Sequence, residues 1–384
     1  MSDTSTTTAE CVVIGAGPAG LATARGLARA GRRVVVLERG GGVATSWRAH
    51  RPGLRLHTVR RLSALPGRSI PRAYGRYVTS ADLVRYFEDY ATDNRLDIRF
   101  GVSVDAVRRE GAGRWSVSTE SGERYLTSTL VVATGHNRVP HIPHWAGRDR
   151  YRLPLIHVSE YRDARDYLGR DILVVGAGNA AAEAATDLAR AGAGRVRMAV
   201  RTPPHIVRRR VGLLSSQVVA IAVGRLPVAV ADRVAGVISA LTVPDLSAKN
   251  LPRPRRGLYS RVELDRSVPV QDTGIVELVR RGVVEPVAAV VGFEPGAVRL
   301  ADGSRVHPDV VIAATGYRRA LESLLPGSVP LGEIGSPVSP SGREAEPGLY
   351  FAGFSVSATG ALRDIANDAR RIARSVKRAN APVV

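Results

Sequence analysis

Two glycine-rich stretches have the residue types and spacing of a nucleotide-binding turn. They read "GAGPAG" at residues 15–20 and "GAGNAA" at residues 176–181. Each follows a short apolar run and precedes a run with helical periodicity, so each predicts a strand, a turn and a helix. In such a turn the first glycine makes the tight bend, the second lets a pyrophosphate approach the backbone, and the third brings the helix close to the strand. The helix N-terminus then binds the phosphates through free N–H groups.

The strand that follows each helix ends in a residue of opposite charge, Glu38 in the first copy and Arg201 in the second. A carboxylate at this place accepts hydrogen bonds from a ribose hydroxyl, whereas a guanidinium binds a 2′-phosphate through paired hydrogen bonds. The first copy therefore predicts a dinucleotide with a free ribose, such as FAD, and the second predicts NADPH. For Arg201 a merely solvated side chain is the alternative, because arginine is abundant throughout this chain.

The repeat extends beyond the glycine turns. Each copy also closes on an apolar strand with the same turn, "LVVATG" at residues 130–135 and "VVIAATG" at residues 310–316. The closing stretch at residues 348–376 adds one more strand and a helix, which we assign to the first copy. The predicted fold class is therefore α/β: a flavoprotein with two dinucleotide-binding domains, a Rossmann-like FAD domain and an inserted Rossmann-like NADP domain.

This plan sets the expected domain limits. The FAD-binding domain is predicted at residues 1–165 and 318–384, and the NADP-binding domain at residues 166–317. Residues 1–9 are expected to form a disordered polar leader. Residues 203–259 are poor in acidic residues and rich in Val, Leu and Arg, and they predict a helical cover over the cleft. A patch that lies on a membrane surface is the less favoured interpretation of that segment.

The composition disfavours several classes of function. The net charge is +20, but 53 of the 55 basic residues are arginines spread along the chain and only 5% of residues are aromatic, so nucleic-acid binding is not expected. No apolar run reaches about 18 residues, so membrane contact is not expected either. The start, "MSDTSTTTAE", lacks the features of a signal peptide, so the expected location is cytoplasmic. The single cysteine, Cys11, leaves no dithiol for a disulfide reductase, and no metal site is expected.

The whole combination resembles the single-component flavin-containing monooxygenases of class B, and most closely their YUCCA-type branch. That branch decarboxylates 2-oxo acids oxidatively in plant auxin synthesis. The two glycine turns match the family's FAD and NADPH motifs. Further stretches typical of the branch are "VRTPPH" at residues 200–205, "PVQDTG" at residues 269–274, "ATGYR" at residues 314–318, "LYFAGF" at residues 349–354 and "DARRIA" at residues 368–373.

The resemblance implies which residues meet each cofactor, by their positions in the matching motifs. Those that would contact FAD are Gly15, Gly17, Ala19, Gly20, Glu38, Arg39, Trp47, Val104, Gly135 and Gly353. Those that would contact NADPH are Gly176, Gly178, Asn179, Ala180, Arg201 and Gly316. Neither a side-chain nucleophile nor a metal ligand is required, because the cofactors carry the chemistry.

His57, in "GLRLHTVRRL", is the catalytic candidate. It occupies the place beside the flavin where amine-oxidising members of the family have asparagine and the YUCCA branch has histidine. A purely structural histidine is the alternative. The loop around it carries five arginines, and any one that points toward the substrate would favour a substrate with a carboxylate. These arginines are Arg48, Arg51, Arg55, Arg60 and Arg61.

One family motif is only partly kept. The pattern Phe-x-Gly-x-x-x-His-x-x-x-Phe/Tyr survives as His157 and Tyr161, whereas Tyr151 and Leu153 stand in place of its Phe and Gly. We therefore expect the link between the two domains to depart from the family's geometry.

The resemblance implies an enzyme that consumes NADPH and O2. In such enzymes NADPH reduces the flavin, O2 adds at flavin C4a to give a peroxide, and one oxygen atom passes to a small organic substrate. A carbonyl compound with a carboxylate is the favoured substrate class, and a homodimer is one expected assembly. Two alternatives stay open at this point: an NADPH-dependent flavoprotein reductase or oxidase that inserts no oxygen, and a basic binding protein that keeps FAD as structure.

Overall fold

The computed structural model describes residues 6–51, 53–111, 113–327, 329–332 and 335–379. The chain divides into two compact units. Unit 1 comprises Met1–Val139, Tyr317–Ser355 and Gly360–Val384, and unit 2 comprises Pro140–Gly316 and Val356–Thr359.

The helices and strands alternate along the chain, and short 3-10 turns lie between them. Up to the first unit boundary they are β1 (Thr6–Ile14), α1 (Pro18–Arg29), β2 (Val34–Glu38), α2 (Thr45–Arg48), α3 (Ser80–Asp93), β3 (Asp97–Phe100), β4 (Val104–Glu110), β5 (Arg114–Thr119), β6 (Arg124–Val132) and β7 (Val139–Pro140). Next come β8 (Leu155–His157), β9 (Asp171–Val175), α4 (Asn179–Ala191), β10 (Arg195–Ala199), β11 (Ile206–Arg208), β12 (Arg210–Val211), β13 (Leu214–Ser215), α5 (Ser216–Val223), α6 (Val228–Thr242), α7 (Leu258–Leu264), β14 (Val270–Asp272), α8 (Ile275–Arg280), β15 (Val284–Val287), β16 (Val290–Glu294), β17 (Ala297–Leu300), β18 (Arg305–Val306) and β19 (Val310–Ala313). The last elements are β20 (Tyr317–Arg318), α9 (Leu321–Leu324), β21 (Glu344–Glu346), β22 (Leu349–Phe351) and α10 (Ala361–Ala379).

The sheet of unit 1 has the strand order β3-β2-β1-β6-β22-β21. Its first five strands run parallel, β21 pairs antiparallel with β22, and the β4–β5 hairpin pairs with β6. The central strands are buried runs of Val, Ile and Leu, as a parallel sheet covered on both faces requires. β1 begins at Thr6, so residues 6–9 of the expected polar leader instead pair with β6. The prediction of disorder is wrong for residues 6–9, because their backbone N–H and C=O groups pair in a strand, and polar side chains do not prevent this pairing. Residues 1–5 lie outside the described residues.

Helix α1 connects β1 to β2 and packs against α10. Pro18 occupies its first turn, where a missing N–H costs no hydrogen bond. Leu21 and Leu27 lie on its buried face. Gly26 allows the close approach of α10, since a Cβ at this position would lie only 3.1 Å from the Cβ of Ala373. This packing fixes the helix whose N-terminus carries the first glycine turn.

Unit 2 repeats the central sheet with the order β15-β10-β9-β19-β8, and all five strands are parallel. A small antiparallel sheet of β16, β17 and β18 lies in the same unit. Helix α4 follows β9 as α1 follows β1, and it ends at Gly192, whose φ of 94° suits a helix C-terminus. The sequence repeat is thus a repeat of strand, turn, helix and neighbouring strand.

The boundary between the units differs from the predicted one. Residues 140–165 were expected in the FAD-binding domain, but they belong to unit 2. The reason is β8, which pairs in parallel with β19 at the edge of the second sheet. Trp145 and Tyr151 also pack against Phe293 of that unit. The other predicted limit, at residue 317, lies one residue beyond Gly316, where this part of unit 2 ends. Residues 356–359 also belong to unit 2.

The segment at residues 203–259 contains α5, α6 and the start of α7, preceded by the short strands β11 to β13. Its role as a cover over a cleft stays a prediction. Among the described residues no helix is both long and apolar enough to cross a membrane.

His157 ends β8 and holds the second ATG turn. Its ring is buried; Nε2 donates to the carbonyl oxygen of Gly316 (3.0 Å) and Nδ1 accepts from the N–H of Ser159 (3.1 Å). Burial lowers the pKa of His157 below its ordinary value of 6.5, although the Gly316 carbonyl and the Glu160 carboxylate act in the opposite direction. The imidazole is therefore neutral in the folded chain at neutral pH.

We predict that His157 makes the protein less stable as the pH falls below 6.5, because the unfolded chain then binds a proton that the folded chain does not. His157→Gln keeps an N–H for the Gly316 carbonyl and cannot titrate. Calorimetric unfolding between about pH 7.5 and about pH 5.5 should show a steeper fall in Tm for the wild type than for the variant. Parallel Tm curves for the two proteins would contradict this account of His157.

Candidate functional site

The carboxyl ends of four neighbouring parallel strands meet at one edge of the sheet in unit 1. These strands are β2, β1, β6 and β22. Glu38 is the last residue of β2, and the turns that follow the other three strands carry Gly15, Gly135 and Gly353; all four are sequence-predicted FAD residues. From β1 the chain adds β2 and β3 on one side of the sheet and then β6 on the other side. In open α/β sheets ligands bind at the point where the strand order reverses in this way. The structure therefore brings the main FAD candidates to one place.

The first glycine turn has the shape that a pyrophosphate requires. Gly15 has φ +106°, and a Cβ there would lie 2.7 Å from the carbonyl oxygen of Ala133. A Cβ at Gly20 would overlap the carbonyl oxygen of Gly15, so the helix start also needs glycine. At Gly17 no described heavy atom lies within 4 Å of that position, and α1 begins there with no side-chain cap. The turn thus leaves an open cradle beside the helix N-terminus, and FAD fits it.

Glu38 is anchored more firmly than the sequence indicated. It is buried, and its carboxylate accepts from the N–H groups of Ala16 (2.7 Å) and Gly40 (2.8 Å) and from Thr45 Oγ1 (3.3 Å). A carboxylate has about four acceptor positions, so capacity for one ribose hydroxyl remains. Glu38 therefore ties the glycine turn to the end of β2 and still fits a ribose.

Asp368 is a buried residue beside the predicted FAD turns that the sequence reasoning missed. It lies on the buried face of α10 and is 1% exposed. Its Oδ2 accepts from Ser341 Oγ (2.6 Å) and from the N–H of Gly353 (3.2 Å), and burial raises its pKa. An acid among the apolar positions of the "DARRIA" helix was the signal that could have revealed it. Asp368 is a positioning residue for the turn at Gly353.

The remaining predicted FAD residues differ in their surroundings. Ala19 contacts the Gly353 turn, because a Cβ at Gly353 would lie 2.8 Å from the Ala19 Cβ. Trp47 is half-buried and meets the Phe87 ring edge-on, and Val104 is buried at the start of β4. Arg39 is exposed just beyond β2.

His57 is held by the bonds of its neighbours. The N–H of Leu56 donates to the carbonyl oxygen of Val78 (2.8 Å), and the hydroxyl of Thr58 bonds to that of Ser63 (2.8 Å). The ring itself is half-buried in this loop. The position is therefore fixed before any ligand binds.

Three of the five arginines around His57 stabilise the loop. Arg48 pairs with Glu88 and donates to the carbonyl oxygen of Val43. The carbonyl oxygen of Tyr77 accepts from Arg55, and those of Ile70 and Gly75 accept from Arg60. Arg61 is exposed and Arg51 is half-buried. For Arg48, Arg55 and Arg60 the geometry thus favours a local structural role over contact with a substrate carboxylate.

Unit 2 presents the second set of predicted residues at the corresponding edge. Gly176 has φ +137°, and a Cβ there would overlap the carbonyl oxygen of Ala314. The space at Gly178 is open, as it is at Gly17, and Gly316 follows β19 with φ +86°. Arg201 is exposed two residues after β10. This edge fits a second dinucleotide, with a guanidinium where the first has a carboxylate.

Asn179 has a role that the sequence did not reveal. Its Nδ2 donates to the carbonyl oxygen of Pro269 (3.1 Å), and its Oδ1 accepts from the N–H of Gln271 (2.8 Å). The side chain therefore anchors β14. Its backbone N–H and that of the exposed Ala180 remain the groups that fit a phosphate.

Thiol and metal chemistry have no support in the described residues. Cys11 is 1% exposed, and burial raises the pKa of its thiol to about 11, so it is not a reactive thiolate at neutral pH. No group of three or more potential His, Cys, Asp or Glu ligands occurs in the part of the chain that the structure describes.

The chain is similar to known proteins along nearly its whole length. The family described as pyridine nucleotide-disulphide oxidoreductase matches residues 12–230. Indole-3-pyruvate monooxygenase YUCCA1 of Oryza sativa subsp. japonica is 34% identical over 375 residues, which cover 95% of this chain and 90% of that protein. Probable indole-3-pyruvate monooxygenase YUCCA9 of Arabidopsis thaliana is 35% identical, over 93% of this chain and 88% of its own. The solved flavin-containing monooxygenase from Stenotrophomonas maltophilia is 22% identical and superimposes with a TM-score of 0.76, over 98% of this chain and all of that one.

We predict that Gly17→Val yields a folded protein without FAD. Position 17 has φ −76° and open space around it, so valine fits the fold but fills the cradle. Gly178→Val is the matched control, because it has the same open setting in the other unit. It should keep FAD and lose NADPH binding. Visible flavin absorbance of the purified proteins and calorimetric NADP+ binding measure the two effects. Full FAD occupancy in a folded Gly17→Val protein would refute the assignment of the first turn.

We predict that Arg201→Ala weakens NADPH and spares NADH. A charge-assisted contact to the 2′-phosphate contributes about 1.5–3 kcal/mol, which is about one to two powers of ten in KM. Arg195→Ala on the preceding strand β10 is the control, since Arg195 already pairs with Glu285 at 2.7 Å. Steady-state kinetics with both nucleotides measure the effect. Equal losses for NADPH and NADH in Arg201→Ala would mean that Arg201 does not read the 2′-phosphate.

Proposed function

Because the chain belongs to the class B flavin-containing monooxygenases, in a YUCCA-like branch, we propose that it decarboxylates a small 2-oxo acid oxidatively. It is a flavin-dependent monooxygenase that uses FAD, NADPH and O2 and acts on a small molecule. The observation that carries the proposal is the extent of the match: relatives named for indole-3-pyruvate are 34% and 35% identical over about nine tenths of their own length.

The proposed reaction is balanced with these reactants. The 2-oxo acid, O2, NADPH and one proton give a carboxylate that is one carbon shorter, together with CO2, water and NADP+. The bond between the keto carbon and the carboxylate breaks, and one oxygen atom of O2 joins the former keto carbon. Bound FAD, reduced by NADPH, supplies the activated oxygen.

The chain's own residues would bind and orient the two cofactors. In unit 1 the N–H groups at the start of α1 would face the FAD pyrophosphate, and Glu38 would accept from its ribose. Asp368 would keep the Gly353 turn in place through its bond to the Gly353 N–H (3.2 Å). In unit 2 the start of α4 would bind the NADPH pyrophosphate, with Arg201 at the 2′-phosphate.

His57 would act on the substrate. Its ring is half-buried in the loop that follows α2. An imidazole N–H of His57 would stabilise the charge that develops on the keto oxygen when oxygen attacks the neighbouring carbon. The fixed loop supports this role, because catalytic groups act best when they are already positioned.

The homodimer, the cytoplasmic location and the absence of nucleic-acid and membrane partners stay predictions from the sequence.

The proposal predicts tight coupling with 2-oxo acids. Purified enzyme given NADPH, O2 and indole-3-pyruvate or phenylpyruvate should form close to one carboxylate product per NADPH, whereas a tertiary amine should give mainly H2O2. His57→Asn should keep FAD and NADPH oxidation but lower product per NADPH at least about tenfold, as loss of a group that stabilises an oxyanion does. The exposed His144→Asn is the control. Chromatography of products and a peroxide assay measure the ratio. NADPH oxidation that gives only H2O2 with every 2-oxo acid tested would contradict the proposal.

A further inference from the structure

The part of unit 1 that surrounds His57 contains no acidic residue. Residues 39–81 include nine arginines and no Asp or Glu. Asp and Glu make up 35 of the 384 residues of the chain, so a stretch of this length would on average hold several. The segment is therefore strongly positive, and its charge must be balanced by acids from elsewhere or by a bound anion.

The helix that follows this segment, α3, supplies acids that are already used. Each of its four acidic residues lies within ion-pair distance of an arginine: Asp82 of Arg85, Glu88 of Arg48, and both Asp89 and Asp93 of Arg68. None of these four carboxylates is left over to balance the other arginines of residues 39–81.

Three of those arginines lie on the surface without such a partner, and we call Arg61, Arg72 and Arg76 the outer arginines. All three are exposed, and none of them pairs with a carboxylate or donates a side-chain hydrogen bond within the described residues. The guanidinium of Arg76 lies over the ring of Tyr77, 5.9 Å from its centroid, which leaves its charge uncompensated. The outer arginines thus add three unbalanced positive charges to one face of unit 1.

Hydrogen bonds of Arg60 hold the outer arginines close to His57. The N–H of Arg60 donates to the carbonyl oxygen of Arg76 (2.9 Å), which joins the two segments that carry the outer arginines. The guanidinium of Arg60 donates to the carbonyl oxygen of Gly75 (3.1 Å), at the end of the short turn at residues 72–74. Only three positions along the chain separate His57 from Arg60, so this cross-linked surface adjoins the proposed substrate position.

Unbalanced charges of one sign around a site raise the local concentration of small ions of the opposite sign. The attraction acts over about a Debye length and is screened by salt, so it needs no direct ion pair. A nucleic-acid site commonly uses about six to ten phosphate contacts, so three cations suit a small anion better than a polyanion.

We propose that the outer arginines attract small carboxylates from solution to the loop of His57, and so select anionic substrates over neutral compounds of the same shape. This inference rests on the proposed role of His57 and adds the surface that makes the enzyme prefer an anion. Arg48, Arg55 and Arg60 keep the structural roles described above.

Two triple variants that lose the same charge test the proposal. The outer variant combines Arg61→Gln, Arg72→Gln and Arg76→Gln. The matched control combines Arg29→Gln, Lys377→Gln and Arg378→Gln, which change exposed residues in the last turns of α1 and α10. Since α1 runs away from its glycine turn, the control positions lie far from the carboxyl edge of the sheet.

Calorimetry of the FAD-loaded proteins compares phenylacetate with the neutral phenylacetamide. At an ionic strength of about 10 mM the outer variant should bind phenylacetate about three- to tenfold more weakly than the wild type and the control, and that difference should fall below about twofold at about 0.3 M. Phenylacetamide should bind all three proteins alike. Equal weakening in both variants, equal affinity in all three proteins, or no binding of phenylacetate by the wild type would overturn the proposal.

Turnover separates this inference from the proposed function. With phenylpyruvate at low ionic strength, the outer variant alone should lose about three- to tenfold in kcat/KM, through KM, while kcat stays unchanged. If phenylpyruvate is oxidised with the same kcat/KM by all three proteins, the role of the outer arginines is refuted and the proposed function stands. If no 2-oxo acid is oxidised, weaker binding of phenylacetate to the outer variant alone still supports the outer arginines.

Discussion

Both nucleotide turns depend on the absence of a side chain at Gly15 and Gly176. Each glycine lies against the carbonyl oxygen of the alanine that begins the neighbouring ATG turn, Ala133 in unit 1 and Ala314 in unit 2. No side chain fits in that space, and both residues have positive φ. The central strand can therefore bend sharply beside its neighbour and direct a helix N-terminus at the carboxyl edge of the sheet. The ATG turns accompany the glycine turns because the two form opposite sides of one contact.

Buried polar groups then connect the binding turns to the rest of each unit. Glu38 joins the first glycine turn to the end of β2, Asp368 joins α10 to the Gly353 turn, and His157 joins the edge strand β8 to the Gly316 turn. Each is buried with several hydrogen-bond partners, which is the condition under which such groups are tolerated. The turns that would meet the cofactors are thus positioned by the fold and need little adjustment on binding.

The sequence predicted the parts of this arrangement that are local. The glycine turns, their helices and the charges of Glu38 and Arg201 follow from short-range patterns. The family, the α/β fold class and the monooxygenase activity are confirmed by the comparisons. The pairing of strands that are distant in sequence could not be predicted from these local patterns. The three residues of β8 carry too little periodicity to reveal β19 as their partner, so the predicted boundary at 165 differs from the unit boundary after Val139. The side chain of Asn179 and the buried Asp368 likewise act on partners far away in sequence.

The central claim is that the two glycine turns divide the cofactors between them, with FAD in unit 1 and NADPH in unit 2. Hydrogen–deuterium exchange of the FAD-loaded enzyme, followed by mass spectrometry with and without NADP+, tests this directly. The account predicts that NADP+ protects the amides of residues 176–181 and leaves those of residues 15–20 unchanged, whereas removal of FAD exposes residues 15–20. Protection of residues 15–20 by NADP+, or exposure of residues 176–181 alone when FAD is removed, would contradict it.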